Sequence, residues 1–224
     1  MTVRFRDRCT AGRELAHAVQ RLQLEAPVIL ALPRGGVPVA YEIAWKLGAP
    51  LDLVLVRKLG VPGRPEFGMG AIAGGANPRA YLDHDLIRSL GISDDHIQQE
   101  ITRQTAEMER RRLTYLGERP PSDVSGKHVV LVDDGIATGG TVRVALDALR
   151  TSTAASITLA VPVAPVEALS TFEPLVDKMI CLSFPEPFVA VGNHYERFDQ
   201  TTDEEVIDLL AQAHLRTGTN HDAA

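Results

Sequence analysis

Short apolar runs alternate with amphipathic repeats along most of the chain. The apolar runs, bounded by Gly, Pro or polar residues, predict strands that are buried on both faces. They cover residues 27–32, 51–56, 128–132, 156–163 and 179–184. Apolar residues at helical spacing predict helices over 15–22, 39–47, 93–112, 139–149 and 203–213. The alternation predicts an α/β fold with a mostly parallel sheet sandwiched by helices.

Two regions lack this regularity. Residues 60–78 are rich in Gly, Pro and small residues, which predicts a long flexible loop, with a short hairpin between 70–73 and 80–83. Residues 215–224 are mostly polar and are expected to be frayed. With 224 residues and 45% apolar residues, we expect a single domain over 1–224. Its core is expected to span about 25–185.

Composition narrows the classes of partner and compartment. Lys and Arg number 23 and Asp and Glu number 29, so the net charge of −6 disfavours binding to nucleic acid. Two cysteines are too few for a disulfide scaffold, and no segment has the apolar length of a leader or a membrane span. We therefore expect a cytoplasmic protein with no membrane partner.

The most specific pattern is VVLVDDGIATGGT at 129–141, a buried strand that ends in two acids, followed by a Gly/Thr loop that opens a helix. This order places carboxylates at the edge of the sheet beside backbone N–H groups that suit an anion. Asp133 and Asp134 would accept the hydroxyls of a sugar whose phosphate lies in the loop. The residues alone also allow an ordinary Asp-Asp-Gly turn before a capped helix. The loop residues are Ala137, Thr138, Gly139, Gly140 and Thr141.

This segment resembles, position by position, the motif with which type I phosphoribosyltransferases bind 5-phosphoribosyl-1-pyrophosphate (PRPP). The resemblance implies an α/β core with a small hood, which we expect the terminal segments to form. It implies a Mg²⁺-assisted transfer of phosphoribosyl to a nitrogen acceptor, with release of pyrophosphate. Asp133 and Asp134 would hold the ribose hydroxyls directly or through Mg²⁺, and Asp134 would steady the developing positive charge. Dimers are common in the family, so a homodimer is compatible with the sequence.

A second glycine loop, LPRGGVP at 32–38, follows the first predicted strand. Gly35 and Gly36 allow the backbone to approach an anion closely, and Arg34 adds its charge or only its main chain. By itself the pattern is an ordinary Gly-rich turn. It lies, however, where the family keeps its pyrophosphate loop, which often contains a cis peptide bond.

Arg57 and Lys58 end the second predicted strand, where the family has a cationic strand end before a mobile catalytic loop. Pyrophosphate that leaves a ribose concentrates negative charge, which Mg²⁺ and these two cations would stabilise. Successive side chains of a strand point to opposite faces, so one of the two is expected to face the site. Arg64 and Glu66 lie on the loop and either enter the site on closure or are simply solvated.

Residues 184–198 resemble the base-binding stretch of the hypoxanthine-guanine members of the family. The resemblance implies that Phe188 stacks on the acceptor and that Val189 offers backbone hydrogen bonds. The alternative for Phe188 is a core aromatic residue. Pro162 stands where those enzymes have a lysine, and His194 stands in place of an acidic metal partner. A 6-oxopurine acceptor is therefore disfavoured.

The resemblance favours a Mg²⁺-dependent phosphoribosyltransferase that acts on PRPP and a nucleobase-like nitrogen acceptor. Two alternatives stay open because one fold serves several functions: a PRPP-sensing regulator without turnover, and a phosphoribosyl hydrolase or phosphatase-like enzyme. Sites for zinc, NAD, kinase and serine-hydrolase chemistry are disfavoured, because their motifs are missing or lack the required context.

Overall fold

A five-stranded parallel sheet forms the centre of the molecule, which the computed structural model describes over residues 4–74 and 78–219. Its strands are β1 (Val28–Ala31), β2 (Leu51–Leu53), β6 (His128–Val132), β7 (Ser156–Val163) and β8 (Lys178–Ser183). Across the sheet the order is β2-β1-β6-β7-β8, and every neighbouring pair is parallel. The predicted mostly parallel α/β sheet is confirmed.

Helices cover both faces of this sheet. The central strand β6 points Val130 and Val132 into an apolar cluster with residues of α1, α2, α4 and α7, and Val129 and Leu131 into a second cluster with α5 and α6. Since all four side chains are fully buried, β6 cannot shift along its axis without losing packing on both sides. The helices are α1 (Arg8–Gln20), α2 (Gly36–Leu47), α3 (His84–Leu90), α4 (Asp94–Leu116), α5 (Gly140–Arg150), α6 (Val166–Phe172) and α7 (Asp203–Thr219).

The prediction of a long flexible loop at 60–78 is wrong, because most of this region is an antiparallel sheet of β3 (Leu55–Val61), β4 (Arg64–Gly74) and β5 (Arg79–Leu82). The predicted strand over 51–56 is also divided, since β2 ends at Leu53. Pro62 and Gly63 form the tight turn between β3 and β4, and Gly63 has a φ of +69° that favours glycine. Residues 75–77 lie outside the described part of the chain.

Burial of an apolar face explains why this segment forms a sheet. Leu59, Met69 and Ile72 are almost fully buried and pack in the same cluster as residues of α4, so the segment has an apolar face despite its glycines.

The predicted short hairpin is confirmed as the pairing of β4 with β5, which runs from Gly70 opposite Leu82 to Ala73 opposite Arg79.

The segment before α1 pairs with the segment that follows β8. The N–H of Phe5 donates to the carbonyl of His194, and the N–H of Glu196 donates to the carbonyl of Phe5, each at 2.8 Å. A hood built from terminal segments remains a prediction. The last helix, α7, continues through Thr219, past its predicted end and into the stretch expected to fray; residues 220–224 lie outside the described part. Over the described residues, no helix is both long and apolar enough to cross a bilayer.

A buried carboxylate fastens the small sheet to α4. Glu100, 8% exposed, accepts hydrogen bonds from the Gly60 N–H at 3.3 Å and from the Gln104 side chain at 2.9 Å, and it forms an ion pair with Arg103. The bond from Arg103 and those from Gln104 and Gly60 outweigh the effect of burial, and they lower the pKa of Glu100 to about 2.

Replacement of this carboxylate by an amide is predicted to destabilise the protein in a pH-dependent manner. A lowered pKa stabilises the folded state fully above the unfolded value of 4.5, and the contribution is lost as the pH falls toward about 2. Glu100→Gln is therefore expected to lower the free energy of unfolding by about 1–2 kcal/mol at neutral pH. Urea unfolding of both proteins from neutral pH down to about pH 3 measures the difference, which shrinks with acidification. Glu118→Gln, on an exposed residue after α4, is the control, and a pH-independent difference would contradict the prediction.

Candidate functional site

The two acids and the Gly/Thr loop lie together at the carboxyl end of β6, as the sequence predicts. A cavity of about 390 Å³ lies against Asp133 and against the loop that leads into α5. Lys58 of β3 also lines this cavity. The loop residues that line it include Ala137, Thr138, Gly139, Gly140 and Thr141.

Close packing requires glycine at two positions of this segment, 135 and 139, whereas a Cβ at Gly140 would meet open space. Gly139 caps α5 with a φ of +73°, and a Cβ there would collide with the ring of Phe172, whose Cε2 would be 2.9 Å away. At Gly135 a Cβ would lie 2.6 Å from Cγ1 of Val191 and 2.9 Å from Cγ1 of Val163. The loop backbone is therefore pressed against its neighbours, and its N–H groups at the start of α5 stay available to an anion.

The second glycine loop packs directly on the acid pair. The peptide bond between Pro33 and Arg34 is cis, as the family resemblance implies. A Cβ at Gly35 would collide with the carboxylate of Asp134, whose Cγ would be 2.7 Å away. A Cβ at Gly36 would lie 2.8 Å from the carbonyl oxygen of Val132. The two motifs, about a hundred residues apart in sequence, thus form one surface.

Arg34 does not direct its guanidinium to the acid pair. Its Nη1 lies 3.5 Å from Oδ1 of Asp203 at the start of α7, and the same Oδ1 accepts a hydrogen bond from the Tyr115 hydroxyl at 2.6 Å. Because the Arg34 side chain is 36% exposed, this ion pair is weak and can be exchanged for a ligand. The main chain of the glycine loop is the part that lies nearest the acids.

Of the two predicted cations on β3, only Lys58 lines the cavity. Gly68 on β4 makes room for the Lys58 stem, since a Cβ there would be 3.0 Å from Cγ of the lysine. Arg57 points the other way, and its Nε donates to Oε1 of Gln104 on α4 at 3.0 Å. The expectation that one of the pair faces the site is met, and the candidate role of Arg57 in binding is not supported by its position. Arg64 is exposed near the β3–β4 turn, and the Glu66 side chain lies outside what the structure describes.

Arg8, which the sequence analysis did not identify, forms an ion pair with one of the two acids. Arg8 Nε donates to Oδ2 of Asp134 at 2.8 Å, across a separation of 126 positions. No motif marks this residue, so only the fold shows it. Tyr195, buried beside it, donates its hydroxyl to the carbonyl oxygen of Asp134 at 2.6 Å. Both the main chain and the side chain of Asp134 are therefore held.

Burial dominates the electrostatics of the two acids. Desolvation, followed by repulsion from Asp134, raises the pKa of Asp133 well above its ordinary value. Burial also raises the pKa of Asp134, and the Arg8 guanidinium opposes that rise. The positive charge of Arg8 is thus shared between two carboxylates, so the pair can still accept hydroxyl groups or a further cation.

The donor set fits Mg²⁺, which prefers carboxylate oxygens and keeps several waters or phosphate oxygens as ligands. Asp133 supplies oxygen donors in the cavity lined by the Gly/Thr loop, and Asp134 supplies them beside Gly35. Among residues 4–74 and 78–219, no group of three or more His, Cys, Asp or Glu side chains gathers as a metal centre. A metal ion at this site would therefore depend on the ligand's own oxygens.

The predicted acceptor stretch is only partly arranged for stacking. The half-buried Phe188 ring stacks on His194, with ring centroids 5.3 Å apart at 22°, and it packs with Phe5 and Tyr195. This favours the alternative of a core aromatic residue, and stacking of Phe188 on an acceptor stays a prediction. His194 is 6% exposed, and burial lowers its pKa. Val189 is 74% exposed and contacts little of the protein.

The contact between Gly35 and Asp134 predicts the effect of one methyl group. Gly35 has φ −60° and ψ −32°, which alanine adopts readily, so any effect of Gly35→Ala comes from the collision with the carboxylate. We expect a loss of about 1–3 kcal/mol in the free energy of unfolding, and loss of ribose 5-phosphate binding because Asp134 is displaced. Urea unfolding and calorimetric titration measure the two effects. Wild-type stability together with wild-type affinity would contradict this packing.

Comparison with known proteins places these features in a family. A model of the phosphoribosyl transferase domain matches residues 8–185. A Mycobacterium tuberculosis protein provisionally named a phosphoribosyl transferase is 41% identical over 210 residues, which are 94% of this chain and 47% of that protein. The chain thus spans about half the length of this relative.

Two further relatives agree with the match. A crystal structure of a Thermus thermophilus protein superposes with a TM-score of 0.80 at 42% identity, and the match covers 94% of this chain and 99% of that one. The bifunctional protein PyrR of Corynebacterium diphtheriae is 28% identical over 146 residues, 63% of this chain and 57% of that protein. With its domain match, its parallel sheet and its acid-and-glycine loop, the chain belongs to the phosphoribosyl transferase domain family.

Proposed function

We propose that the protein transfers the phosphoribosyl group of PRPP to a nitrogen acceptor, with Mg²⁺ as cofactor. In this reaction the bond from the anomeric carbon to the pyrophosphate oxygen breaks, a bond to the acceptor nitrogen forms, and the acceptor gives up a proton. The observation that supports the proposal is the single cavity that joins a carboxylate, a phosphate-type loop and a lysine.

The cavity and the residues packed beside it match the successive parts of PRPP. The N–H groups and hydroxyls of Ala137–Thr141 would hold the 5-phosphate at the start of α5. Asp133 and Asp134 would accept the ribose hydroxyls, and the main chain of Arg34–Gly36 would face the pyrophosphate. Lys58, which also lines the cavity, would hold the end of the molecule where charge accumulates.

The transition state places positive charge on the sugar ring and negative charge on the leaving oxygens. Asp134, fixed by Arg8 and Tyr195, would face the first charge, and Lys58 the second. When bound to the acids and to PRPP, Mg²⁺ would supply a further positive charge for the leaving pyrophosphate. The predicted roles therefore fall to Asp133, Asp134 and Lys58, and Arg57 is left out.

The acceptor is proposed to be a nucleobase-like compound other than a 6-oxopurine. It would lie near 188–192, because Val191 packs on Gly135 next to the acids. A cytoplasmic location, a role in nucleotide metabolism, a homodimer and a hood made from the terminal segments complete the proposal. We propose the same activity for a longer protein that contains this chain.

A regulator that binds PRPP without turnover is the second candidate, and it is favoured by the stacking of Phe188 on His194, which occupies one face of the predicted acceptor-binding ring. The net charge of −6 disfavours a nucleic-acid partner. Pyrophosphate release with a panel of nucleobases separates the candidates. Release that requires an acceptor supports the transferase, release without one indicates a hydrolase, and PRPP binding with no release supports the regulator.

Asp133→Asn is predicted to separate binding from stability. The change removes one of two repelling buried carboxylates, so the melting temperature is expected to equal or exceed that of the wild type. Affinity for PRPP with Mg²⁺ is expected to fall about 100-fold or more by calorimetry. Asp85→Asn, on a side chain that is 90% exposed, is the control. Undiminished PRPP affinity in Asp133→Asn would refute the proposed site.

Lys58→Gln and Arg57→Gln form a matched pair on neighbouring positions of β3. Lys58→Gln is expected to weaken pyrophosphate binding about tenfold, since it removes a cation from the cavity wall. Arg57→Gln is expected to leave this affinity nearly unchanged, because Arg57 contacts Gln104 on α4. Calorimetric titration with pyrophosphate measures both. A larger loss for Arg57→Gln would show that the wrong cation has been assigned.

A further inference from the structure

Arg8 reaches the acid pair from the first turn of α1, an element outside both glycine motifs. Its Nε lies 2.8 Å from Oδ2 of Asp134, and the two side chains are only 12% and 14% exposed. Exposed ion pairs contribute little, but a largely buried pair fixes the geometry of both partners, and removal of one partner leaves the other charge uncompensated.

Arg8 is itself held in place by the segment that precedes α7. Its Nη1 donates to the carbonyl oxygen of Asp199 at 2.6 Å, and its guanidinium lies 3.9 Å from the centre of the Phe198 ring. The Phe198 ring in turn contacts Tyr195, whose hydroxyl holds the Asp134 main chain. Arg8 is therefore a fixed group with three kinds of contact, unlike a flexible surface arginine.

This arrangement makes the two acids unequal. Arg8 contacts Oδ2 of Asp134, whereas Asp133 lines the cavity and its Oδ1 accepts the N–H of Asp134 at 2.9 Å. The guanidinium stabilises the charge of the Asp134 carboxylate that it contacts. It leaves Oδ1 of Asp134 as the oxygen to which a sugar hydroxyl would donate.

We propose that Arg8 is a positioning residue for sugar recognition, which acts by fixing the Asp134 carboxylate. This inference rests on the proposed function, because it takes the acid pair as the site of the sugar hydroxyls. It follows that Arg8 controls affinity for the sugar part of the ligand and has little influence on affinity for the phosphate part. The Gly/Thr loop at the start of α5 would bind the phosphate through its own N–H groups.

Two probes separate these parts. Inorganic phosphate reports on the loop alone, and ribose 5-phosphate reports on the loop together with the acids. Calorimetric titrations without metal compare wild type, Arg8→Gln, Arg8→Lys and the control Arg13→Gln, which lies on the exposed side of α1 and pairs with Glu42. Arg8→Gln is expected to weaken ribose 5-phosphate binding about 10- to 100-fold and to change phosphate affinity less than about twofold. Arg8→Lys restores part of the loss, because it keeps the charge without the fork or the ring contact.

Each outcome decides the matter. Equal losses for both probes would indicate a merely structural role for Arg8, and no loss for either would indicate no role, so both results overturn the inference. If Arg8→Gln does not fold, Arg8→Lys decides by the same ratio of the two affinities. Wild-type protein that binds ribose 5-phosphate no better than phosphate would instead overturn the assignment of the acid pair, and with it the proposed function.

Discussion

Two consecutive carboxylates are confined at the end of a fully buried strand, and the rest of the site depends on this constraint. β6 packs on both faces, so Asp133 and Asp134 cannot slide toward solvent. Burial of adjacent negative charges is unfavourable unless partners compensate for it. The structure supplies one arginine, one tyrosine hydroxyl at the main chain and a loop whose glycines permit close approach. The charge that remains uncompensated is the feature that a ligand would satisfy.

Local chemistry explains why so much of this arrangement is predictable from sequence. Strands buried on both faces leave continuous apolar runs, and the order of strand, acids, glycine loop and helix specifies its own geometry within about a dozen residues. The parallel sheet and the position of the Gly/Thr loop beside the acids follow from such local order, whereas the role of the 32–38 loop is indicated by the family resemblance. Once the loops at 32–38 and 133–141 are known to contact each other, the requirement for glycine at Gly35 follows as well.

Other features depend on tertiary partners and leave no local trace. The glycine-rich stretch that begins at residue 60 looks like a loop because its few apolar residues, such as Met69 and Ile72, are buried only when α4 covers them. The direction of Arg57 depends on Gln104, and the role of Arg8 depends on a contact across 126 positions. The pattern and spacing of residues in the sequence contain no information about such long-range side-chain contacts. A charged residue such as Arg8 is therefore expected to be solvated until the fold is known.

The two walls of the cavity belong to different sheets. Within the described residues, the carboxylates extend from the five-stranded sheet and Lys58 from the three-stranded one, and no ladder of hydrogen bonds joins the two. Side-chain packing on α4 and α5 sets the distance between them. A single residue, Val54, separates β2 of the large sheet from β3 of the small one, so the chain itself also ties the two sheets together. A substitution in α4 or α5 that shifts the small sheet would therefore change the distance between Lys58 and Asp133 without altering either residue.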